Sequence, residues 1–480
     1  MAIRARLTPP REPKTDWPWH KVKSSSLQAS LLFGGDRRME AESFLKSGFA
    51  IRHAIEAKVD GWDRFGALAL VSAPPRIKQV LVSPENGVPY LNTSQVFDPI
   101  PSPRKWLAVE KTNAAQSRFV EQGAILVMAS ATVGRAIVAT QQHENTIISH
   151  HFLRVEPRDK IHWGWLYAFI RSPQCQAMIG SSQYASVIRH IEGSHLNELP
   201  IPIISDDLAS NFNSKVQRIV QLRNEATALT RGAENLFEKS VGLKSETIAA
   251  PFGGVSIQHF SGGRRRLEAA YHAPKVKDII SRFQRWEPLS AIVDRIWWPN
   301  RFKRIFAEEG TPYMGPDELF TTNVFETKKV LVEGKRNEAD FQIRENWIVM
   351  ARSGQTYGLN GSAKLLTRYH LDWLLSDDLI RIATQPEKAR PGYILTALSH
   401  PTLGRPLVIR EAYGTSIPHL DPSDVANIPI VRLGAKLETE IGELAENAAL
   451  RMAEAEAAER ELVVEAEVVV DEFLSSSQRR

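Results

Sequence analysis

The chain has 480 residues, 43% of them hydrophobic, and a net charge of +5. This length favours two to four domains. The longest apolar runs are far shorter than a membrane span, and the single cysteine, Cys175, excludes an internal disulfide and a cysteine-rich zinc site. We therefore expect a cytoplasmic protein with no membrane attachment.

The charge is unevenly distributed along the chain. From Leu433 to Leu474 there are 12 acidic and 3 basic residues, a local charge of −9, which leaves +14 on the rest of the chain. A basic body favours binding to a polyanion such as nucleic acid, and the acidic segment favours a separate task such as protein docking.

Taken in chain order, the segments of residues 34–205 recur in residues 262–432. The stretch "GVPYLNTSQVF" at Gly87–Phe97 returns as "GTPYMGPDELF" at Gly310–Phe320. Further pairs follow in the same order, among them "RIKQV" with "RFKRI", "ILVMASATVG" with "WIVMARSGQTYG", and "YASVIRHI" with "YGTSIPHL". Their offsets drift by only a few residues, so the sequence predicts two tandem copies of one domain of about 200 residues.

Each copy mixes short strands with helices and ends in one long helix. Runs such as "AILVMAS" and "DLIRIA" are β-like, and one short helix is predicted near Trp163–Ile170 and again near Tyr393–Leu398. The long helices are predicted at about Asp207–Val241 and Ala435–Leu474, each with an apolar seam at alternating spacings of three and four. The predicted organisation is α+β: a flexible leader (1–33), a first domain (34–205), a helix (206–242), a linker (243–261), a second domain (262–432), a second helix (433–474) and a tail (475–480).

The paired motifs resemble the specificity (S) subunit of type I restriction–modification systems. Gly87–Tyr90 and Gly310–Tyr313 match the "G-x-P-Y" turn of that family, and "LPIPII" and "NIPIV" match its approach to the long helix. "ILVMASATVG" and "WIVMARSGQTYG" match its strand and turn, although "SAT" at Ser130–Thr132 stands where the family has Ser-Gly-Thr. The resemblance covers the chain from about Arg38 to Phe473.

This resemblance implies two target-recognition domains that read the halves of a bipartite site in double-stranded DNA, separated by an antiparallel coiled coil. It also implies docking of two adenine methyltransferase (modification) subunits and of restriction/translocase subunits. S-adenosylmethionine, ATP and Mg²⁺ would serve those partners, and this chain would bind no cofactor and catalyse no reaction. An alternative is a specificity factor for another phage-defence methyltransferase system, which neighbouring genes would distinguish.

Candidate DNA contacts fall in two kinds of segment, each present in both copies. Basic clusters follow proline-containing loops, where Arg and Lys can bind phosphates, although a solvated charged edge is the alternative. The turns after the strand combine small residues with Arg, Gln, Thr and Tyr, which suit base or phosphate contacts, although an ordinary polar hairpin is the alternative. The predicted DNA-binding residues are Arg76, Lys78, Ser130, Thr132, Arg135, Arg301, Lys303, Arg304, Arg352, Ser353, Gln355 and Tyr357.

Two further sets of residues have predicted roles. Tyr90 and Tyr313 are expected to pack in the interior, and His190 and His419, which occupy equivalent positions, are expected to form structural hydrogen bonds. The helix seams supply the candidate partner-binding residues Leu222, Leu229, Leu236, Leu444, Met452 and Leu462.

The sequence predicts no catalytic and no metal-binding residues. It lacks the Asp/Asn-Pro-Pro-Tyr motif of amino-methyltransferases. Asp317, Glu333 and Lys335 have the order of a PD-(D/E)xK nuclease, whose carboxylates hold Mg²⁺. Matches to so short a pattern arise easily by chance, so an autonomous Mg²⁺ nuclease is the weaker alternative.

Overall fold

The computed structural model describes residues 44, 47–76, 78–108, 118–182, 189–242, 266, 268–269, 271–301, 303–324, 328–331 and 341–476. The predicted leader and linker lie outside these ranges. None of the helices within them is both long enough and apolar enough to cross a membrane.

Domain 1 precedes the first long helix and combines small sheets with short helices. Its helices are α1 (Ser47–Glu56), α2 (Phe65–Leu68), α3 (Trp163–Arg171), α4 (Pro173–Ser182) and α5 (Gly193–Asn197). Its strands are β1 (Trp62–Arg64), β2 (Ala69–Ser72), β3 (Leu81–Val82), β4 (Val88–Leu91), β5 (Lys105–Leu107), β6 (Ile125–Met128), β7 (Ala136–Val138), β8 (Ile147–Ile148), β9 (Phe152–Pro157) and β10 (Pro200–Pro202). The long helix α6 follows at Asp206–Val241.

Domain 2 repeats this series of elements. Its helices are α7 (Pro274–Ser281), α8 (Leu289–Ile292), α9 (Pro316–Leu319), α10 (Pro391–Ser399), α11 (Arg405–Ile409) and α12 (Pro422–Val425). Its strands are β11 (Trp286–Pro288), β12 (Val293–Trp297), β13 (Ile305–Met314), β14 (Lys328–Leu331), β15 (Ile348–Ala351), β16 (Ala363–Leu365), β17 (Leu374–Leu375), β18 (Leu379–Thr384) and β19 (Pro429–Val431). The second long helix, α13, covers Ala435–Ser475.

The sheets of the two domains have the same plan. A four-stranded sheet of order β2-β9-β6-β7 in domain 1 corresponds to β12-β18-β15-β16 in domain 2, and the pair β1-β10 corresponds to β11-β19. In the remaining sheet β3 and β4 are separate, whereas β13 runs through both positions with a register shift between Phe306 and Thr311. The predicted α+β fold of two tandem domains is confirmed.

A short helix in each domain packs closely on the long helix that follows that domain. In α3, a Cβ added to Gly164 would lie 2.4 Å from the backbone nitrogen of Asn213, and in α10 a Cβ added to Gly392 would lie 2.2 Å from the carbonyl oxygen of Gly442. Only glycine allows this approach of two backbones. The short helices were expected near these positions, but the sequence did not indicate their glycine contacts.

The two long helices lie side by side in opposite directions. Ion pairs join Lys215 to Glu465, Arg218 to Glu454 at 3.0 Å and Glu225 to Arg451 at 3.5 Å, and a Cβ added to Gly232 would lie 3.8 Å from Leu444. Across these contacts the residue numbers rise along α6 while they fall along α13, which defines an antiparallel arrangement. Helix α6 begins at a Ser205 cap, whose Oγ accepts a hydrogen bond from the Leu208 amide, and ends at Gly242 with φ 77°.

Each domain core takes side chains from both long helices. The core of domain 1 includes Leu462, Ala466 and Val470 of α13, and the core of domain 2 includes Ala233 and Phe237 of α6. The seams therefore bind domains as well as each other. Because apolar spacing on one helix does not identify what covers it, the sequence could not separate these two roles.

The seam residues predicted to bind partner subunits are covered within the chain itself. Leu222, Met452 and Leu462 are buried, and Leu236 and Leu444 pack against the core of domain 2. Leu229 is half-buried. Side chains enclosed by the helix pair and the domains do not form an open docking surface, so the structure assigns them an internal packing role.

Candidate DNA-binding surfaces

The turn that follows β6 in domain 1 and the turn that follows β15 in domain 2 are held by equivalent contacts. After β6, the backbone of Ser130 pairs with His190, and after β15 the backbone of Ser353 pairs with His419. The Ser130 Oγ lies 2.9 Å from Nδ1 of His151. These bridges confirm that the two turns are equivalent copies.

The turn of domain 2 has one further side-chain contact. The Ser353 hydroxyl donates to a carboxylate oxygen of Asp378 at 2.6 Å and lies 2.7 Å from Nδ1 of His419. His419 is therefore a structural hydrogen-bonding residue, as the sequence predicted. The Arg352 guanidinium carbon lies 3.4 Å from the ring centre of Trp298. This stacking orients a predicted DNA contact through an aromatic residue that sequence reasoning missed.

Several predicted DNA contacts are exposed around these turns. Thr132 and Gln355 face solvent, and Gln355 donates to the Ser416 carbonyl at 2.9 Å. The Tyr357 side chain is 69% exposed, with the Arg104 guanidinium of domain 1 at 5.8 Å from its ring centre. Ser130 is buried, so its role is to hold the turn rather than to contact a ligand.

The basic clusters differ in their surroundings. Arg76 and Lys78 of domain 1 are exposed. In domain 2, Lys303 is exposed, and Arg301 and Arg304 both form ion pairs with Asp377, that of Arg301 at 3.5 Å. The positive charge at this position of domain 2 is therefore partly neutralised within the chain.

Arg135 belongs to a contact between the domains. Its guanidinium donates to the carbonyl oxygens of Thr322 and Asn323, at 2.6 and 3.0 Å, and lies 3.9 Å from the ring centre of Phe97. Burial lowers the pKa of Arg135 to about 10, although a neighbouring carboxylate, Asp98, opposes that shift. The structure therefore gives Arg135 an internal role in place of the predicted DNA contact.

The two domains meet directly at this contact. The Thr322 amide donates to the Phe97 carbonyl at 2.7 Å, and the Asn323 side chain donates to the Ala136 carbonyl at 2.9 Å and to the Tyr167 hydroxyl at 2.6 Å. The helices therefore do not keep the domains out of contact, although the two domain cores lie at opposite ends of the helix pair. Asn323 adopts φ 53°, a conformation that asparagine tolerates better than most residues.

Both repeated tyrosines lie in the interior, as predicted. Tyr90 is 6% exposed and Tyr313 is 5% exposed, and the Tyr90 hydroxyl accepts a hydrogen bond from Gln79 at 3.1 Å. Cys175 is also buried, and burial raises its pKa. A thiol in this environment is unreactive.

The nuclease pattern cannot be assembled from the described part of the chain. Asp317 lies in helix α9, whereas Glu333 and Lys335 fall outside the described residues. Within the described ranges no three His, Cys, Asp or Glu side chains group together as metal ligands would.

Most of the acidic residues of α13 whose contacts are resolved face cations of the same chain. Glu446 pairs with Arg390 at a half-buried edge of domain 2, Glu456 with Lys364 at 2.7 Å, and Glu459 with Arg223. These pairs offset much of the acidic charge. The helix is thus less of a free acidic docking surface than its composition suggests.

Sequence reasoning missed one pair of segments beside the turns. "SHHF" at Ser149–Phe152 and "SDDL" at Ser376–Leu379 lie 227 residues apart and immediately precede β9 and β18. The signal in the sequence that could have revealed this pair is a serine followed by two titratable residues in both domains. These residues contact both the turns and the basic clusters.

Comparison with known proteins finds similar solved structures. The crystal structure of a type I restriction–modification S subunit from M. genitalium is 14% identical, covers 87% of this chain and 97% of its own, and has a TM-score of 0.36. The HsdS subunit from Thermoanaerobacter tengcongensis is 14% identical, covers 86% and 96%, and has a TM-score of 0.25. A structure described as showing complex assembly and conformational transition of the type I R-M system is 13% identical, covers 86% and 97%, and has a TM-score of 0.26.

No protein-family model and no curated protein matches the chain. Two of these solved structures are S (HsdS) subunits of type I restriction–modification systems, and the third is described as belonging to such a system. Because their TM-scores are low, the case for function rests on the geometry of this chain.

Proposed function

We propose that this chain is the DNA-specificity subunit of a type I restriction–modification complex, with each domain reading one half of a bipartite site in double-stranded DNA. The observation that carries the proposal is the pair of equivalent turns, fastened through Ser130–His190 and Ser353–His419, on domains joined by antiparallel helices. Antiparallel helices orient two copies in opposite senses, which suits recognition of a split DNA sequence.

The exposed residues of the turns and basic clusters are the proposed DNA contacts. Arg and Lys side chains bind backbone phosphates regardless of sequence, whereas Gln and Arg can form paired hydrogen bonds with base edges. The proposed phosphate contacts are Arg76, Lys78 and Lys303, and the proposed contacts of the turns are Thr132, Arg352, Gln355 and Tyr357, all at least partly exposed.

The chemistry of methylation and cleavage would belong to other subunits. Two methyltransferase subunits would dock on the outer surfaces of the helices and domains and would use S-adenosylmethionine. Restriction/translocase subunits would use ATP and Mg²⁺. The buried seam residues would act indirectly, by holding the domains at a fixed mutual orientation.

Exchange of a single domain tests the proposal. Residues 38–202 would be replaced by the matching segment of a homologous subunit with a different target, and the methylated sequence would be mapped in cells that supply the modification subunit. One half of the methylated site should change while the other half and its orientation stay the same.

The reciprocal exchange, of the domain 2 segment, is the matched control. It should change the opposite half of the site. A change in both halves, or methylation unaffected by either exchange, would contradict independent recognition by the two domains. DNA cleavage by the purified chain alone with Mg²⁺ would instead favour the nuclease alternative.

A further inference from the structure

Strand pairing fixes which residues of the two domains correspond beside the turns. Leu126 of β6 pairs with Arg154 of β9, and Val349 of β15 pairs with Arg381 of β18. The residues just before β9 and β18 are therefore equivalent as well. Domain 1 has His150 and His151 where domain 2 has Asp377 and Asp378.

In domain 2 the two aspartates neutralise the surrounding cations. Asp377 is only 7% exposed in its side chain and pairs with Arg301 and Arg304. Asp378 lies 3.8 Å from Arg352. Three cations are therefore matched by two carboxylates at this place.

The buried strand arginine of domain 2 makes several internal hydrogen bonds through its two Nη atoms. Arg381 is fully buried and donates to the carbonyl oxygens of Leu375, Ser376 and Leu379 at 2.7 to 2.9 Å. Its equivalent in domain 1, Arg154, has a buried Nη2 with no hydrogen-bond partner among the described residues.

A second arginine of domain 1 is both buried and unsatisfied. Arg118 is 1% exposed, and its Nε and Nη2 atoms have no hydrogen-bond partner in the part of the chain that the structure describes. Leaving charged donors buried and unpaired is costly, since burial removes the hydration of the ion. Such a side chain is stabilised when an anion binds beside it.

These cations converge on the histidine pair. The rings of His150 and His151 have centroids 4.0 Å apart. Burial lowers the pKa of His150 to about 4, and the charges of His151, Arg76 and Arg118 contribute to that shift. The pKa of His151 is also lowered, first by burial and then by His190 and Arg76.

The surrounding segments bring these groups together. The Phe119–Ile147 bridge places Arg118 beside the strand that leads to the histidine pair, and the Ser130–His190 bridge joins the turn to His190, whose charge acts on His151. Arg118 also acts on Arg154, as does Glu156, whose opposite charge raises the pKa of Arg154 against the effect of burial. Among the described residues, Glu156 is thus a carboxylate whose negative charge acts on this cluster.

We propose that Arg118, Arg154, His150 and His151, with Arg76 at the rim, form a binding site in domain 1 for a backbone phosphate of duplex DNA. Domain 2 lacks this site because Asp377 and Asp378 occupy the positions of the histidine pair. The inference rests on the proposed function and adds an asymmetry to it: the two domains hold the DNA backbone with different strength at equivalent places.

Replacement of the histidine pair by aspartates tests the site. The double variant His150→Asp with His151→Asp gives domain 1 the residues of domain 2, and an aspartate at 151 can still accept from Ser130, as Asp378 does from Ser353. The affinity of the full chain for duplex DNA would be measured over a range of salt concentrations. The log–log salt slope should fall by about 0.9, the value for removal of one phosphate contact.

A charge-matched control separates a site from a general effect of charge. Lys160→Glu makes the same formal change of net charge on the exposed surface of domain 1. It should leave the slope closer to that of the wild-type chain. The reverse exchange, Asp377→His with Asp378→His, should release the arginines of domain 2 and increase the slope.

The pH dependence gives a second readout. Phosphate binding favours protonated histidine, and the pKa of His150 in the free chain is lowered to about 4, so wild-type affinity should rise as the pH falls from about 6 to about 4.5. The aspartate exchange should remove this rise. DNA binding with equal slopes in the aspartate exchange and in Lys160→Glu would overturn the site and leave the proposed function standing. A wild-type chain that does not bind duplex DNA would overturn the proposed function and the site with it.

Discussion

Domain 1 and domain 2 share the hydrogen bonds that shape the turn after the central strand but differ in the charges around it. Ser130 and Ser353 are fastened at equivalent places, one against His151 and the other against Asp378. The backbone plan is thus kept, while carboxylates that offset the positive charge are present in domain 2 and are replaced by histidines in domain 1. A repeated domain can change its ligand contacts in this way without changing its fold.

The attachment of the domains to helix α13 shows a second difference. Glu459 accepts from the Tyr167 hydroxyl and pairs with Arg223 and Arg171 on the domain 1 side. Glu456, one turn earlier, pairs with Lys364 of domain 2. Domain 1 therefore depends on one carboxylate shared among several buried groups, whereas domain 2 is attached through separate carboxylates, among them Glu456 with Lys364 and Glu446 with Arg390.

The largest expected effect comes from breaking the buried ion pair between Glu459 and Arg223. Glu459→Gln removes the charge that Arg223 needs, and both side chains are only 4% exposed. Removal of one partner of a buried ion pair costs about 3–5 kcal/mol, so the free energy of unfolding should fall by that amount. Denaturant unfolding followed by circular dichroism would measure it.

Two matched variants sharpen this result. Glu456→Gln should cost less, because Lys364 also donates to the Leu319 carbonyl at 3.2 Å. Glu465→Gln breaks the half-exposed pair with Lys215 and should cost about 1 kcal/mol or less. Equal losses for all three variants would show that the two attachments do not differ.

A smaller loss is expected where the short helices meet the long ones. Gly164→Ala and Gly392→Ala each force a methyl group onto the backbone of the neighbouring helix. Overpacking costs about 1–3 kcal/mol, and the two losses should be similar because the contacts are equivalent. Thermal unfolding of each single variant and of the double variant would measure the costs and their additivity.

Gly180→Ala serves as the control for these glycines. Gly180 lies in helix α4, and an added Cβ would meet none of the described residues within 4 Å. Alanine is the better helix former by about 1 kcal/mol, so this variant should be neutral or more stable. A loss at Gly180 as large as that at Gly164 would contradict the close approach as the cause.

The sequence predicted the repeat, the fold class and both long helices because each depends on local patterns. Apolar periodicity predicted helices at about Asp207–Val241 and Ala435–Leu474, and the observed helices are Asp206–Val241 and Ala435–Ser475. The paired motifs placed the turns. These features survive in a single sequence because each is fixed by neighbours in the chain.

The sequence could not predict how the two copies meet. The contact of Arg135 with Thr322 and Asn323 joins residues almost 190 positions apart and has no counterpart in the repeat. Arg135 looked like a DNA contact because its turn is repeated, yet its partners come from the other domain. Charge and spacing do not reveal which surface a long arginine side chain will face.

The charge difference between the domains predicts unequal salt effects in DNA binding. Arg76→Ala with Lys78→Ala should lower the log–log salt slope by about 0.9 for each phosphate that the variant no longer binds. Arg301→Ala with Lys303→Ala should lower it less, because Arg301 already faces Asp377 at 3.5 Å. Fluorescence anisotropy with duplex DNA at several salt concentrations would compare the two variants. A larger change from the domain 2 variant would reverse the proposed order.

The smallest expected effect concerns the residue that follows Ser130 in the first turn and the residue that follows Ser353 in the second. Ala131 has φ 64° and Gly354, its equivalent, has φ 131°. A left-handed conformation costs a residue with a Cβ about 1–2 kcal/mol, and glycine escapes that cost but loses about 0.5–1 kcal/mol more in chain entropy on folding.

Ala131→Gly should therefore stabilise domain 1, and Gly354→Ala should destabilise domain 2, each by up to about 1.5 kcal/mol, which is the cost of the left-handed conformation less the entropy term. Thermal unfolding of the two single variants would give both signs in one experiment. Ala131 is exposed, so its replacement removes no buried contact that could mask the gain. A loss of stability in Ala131→Gly would show that backbone strain is not what distinguishes the two turns, and that the Ala131 methyl group contributes to the shape of the first one.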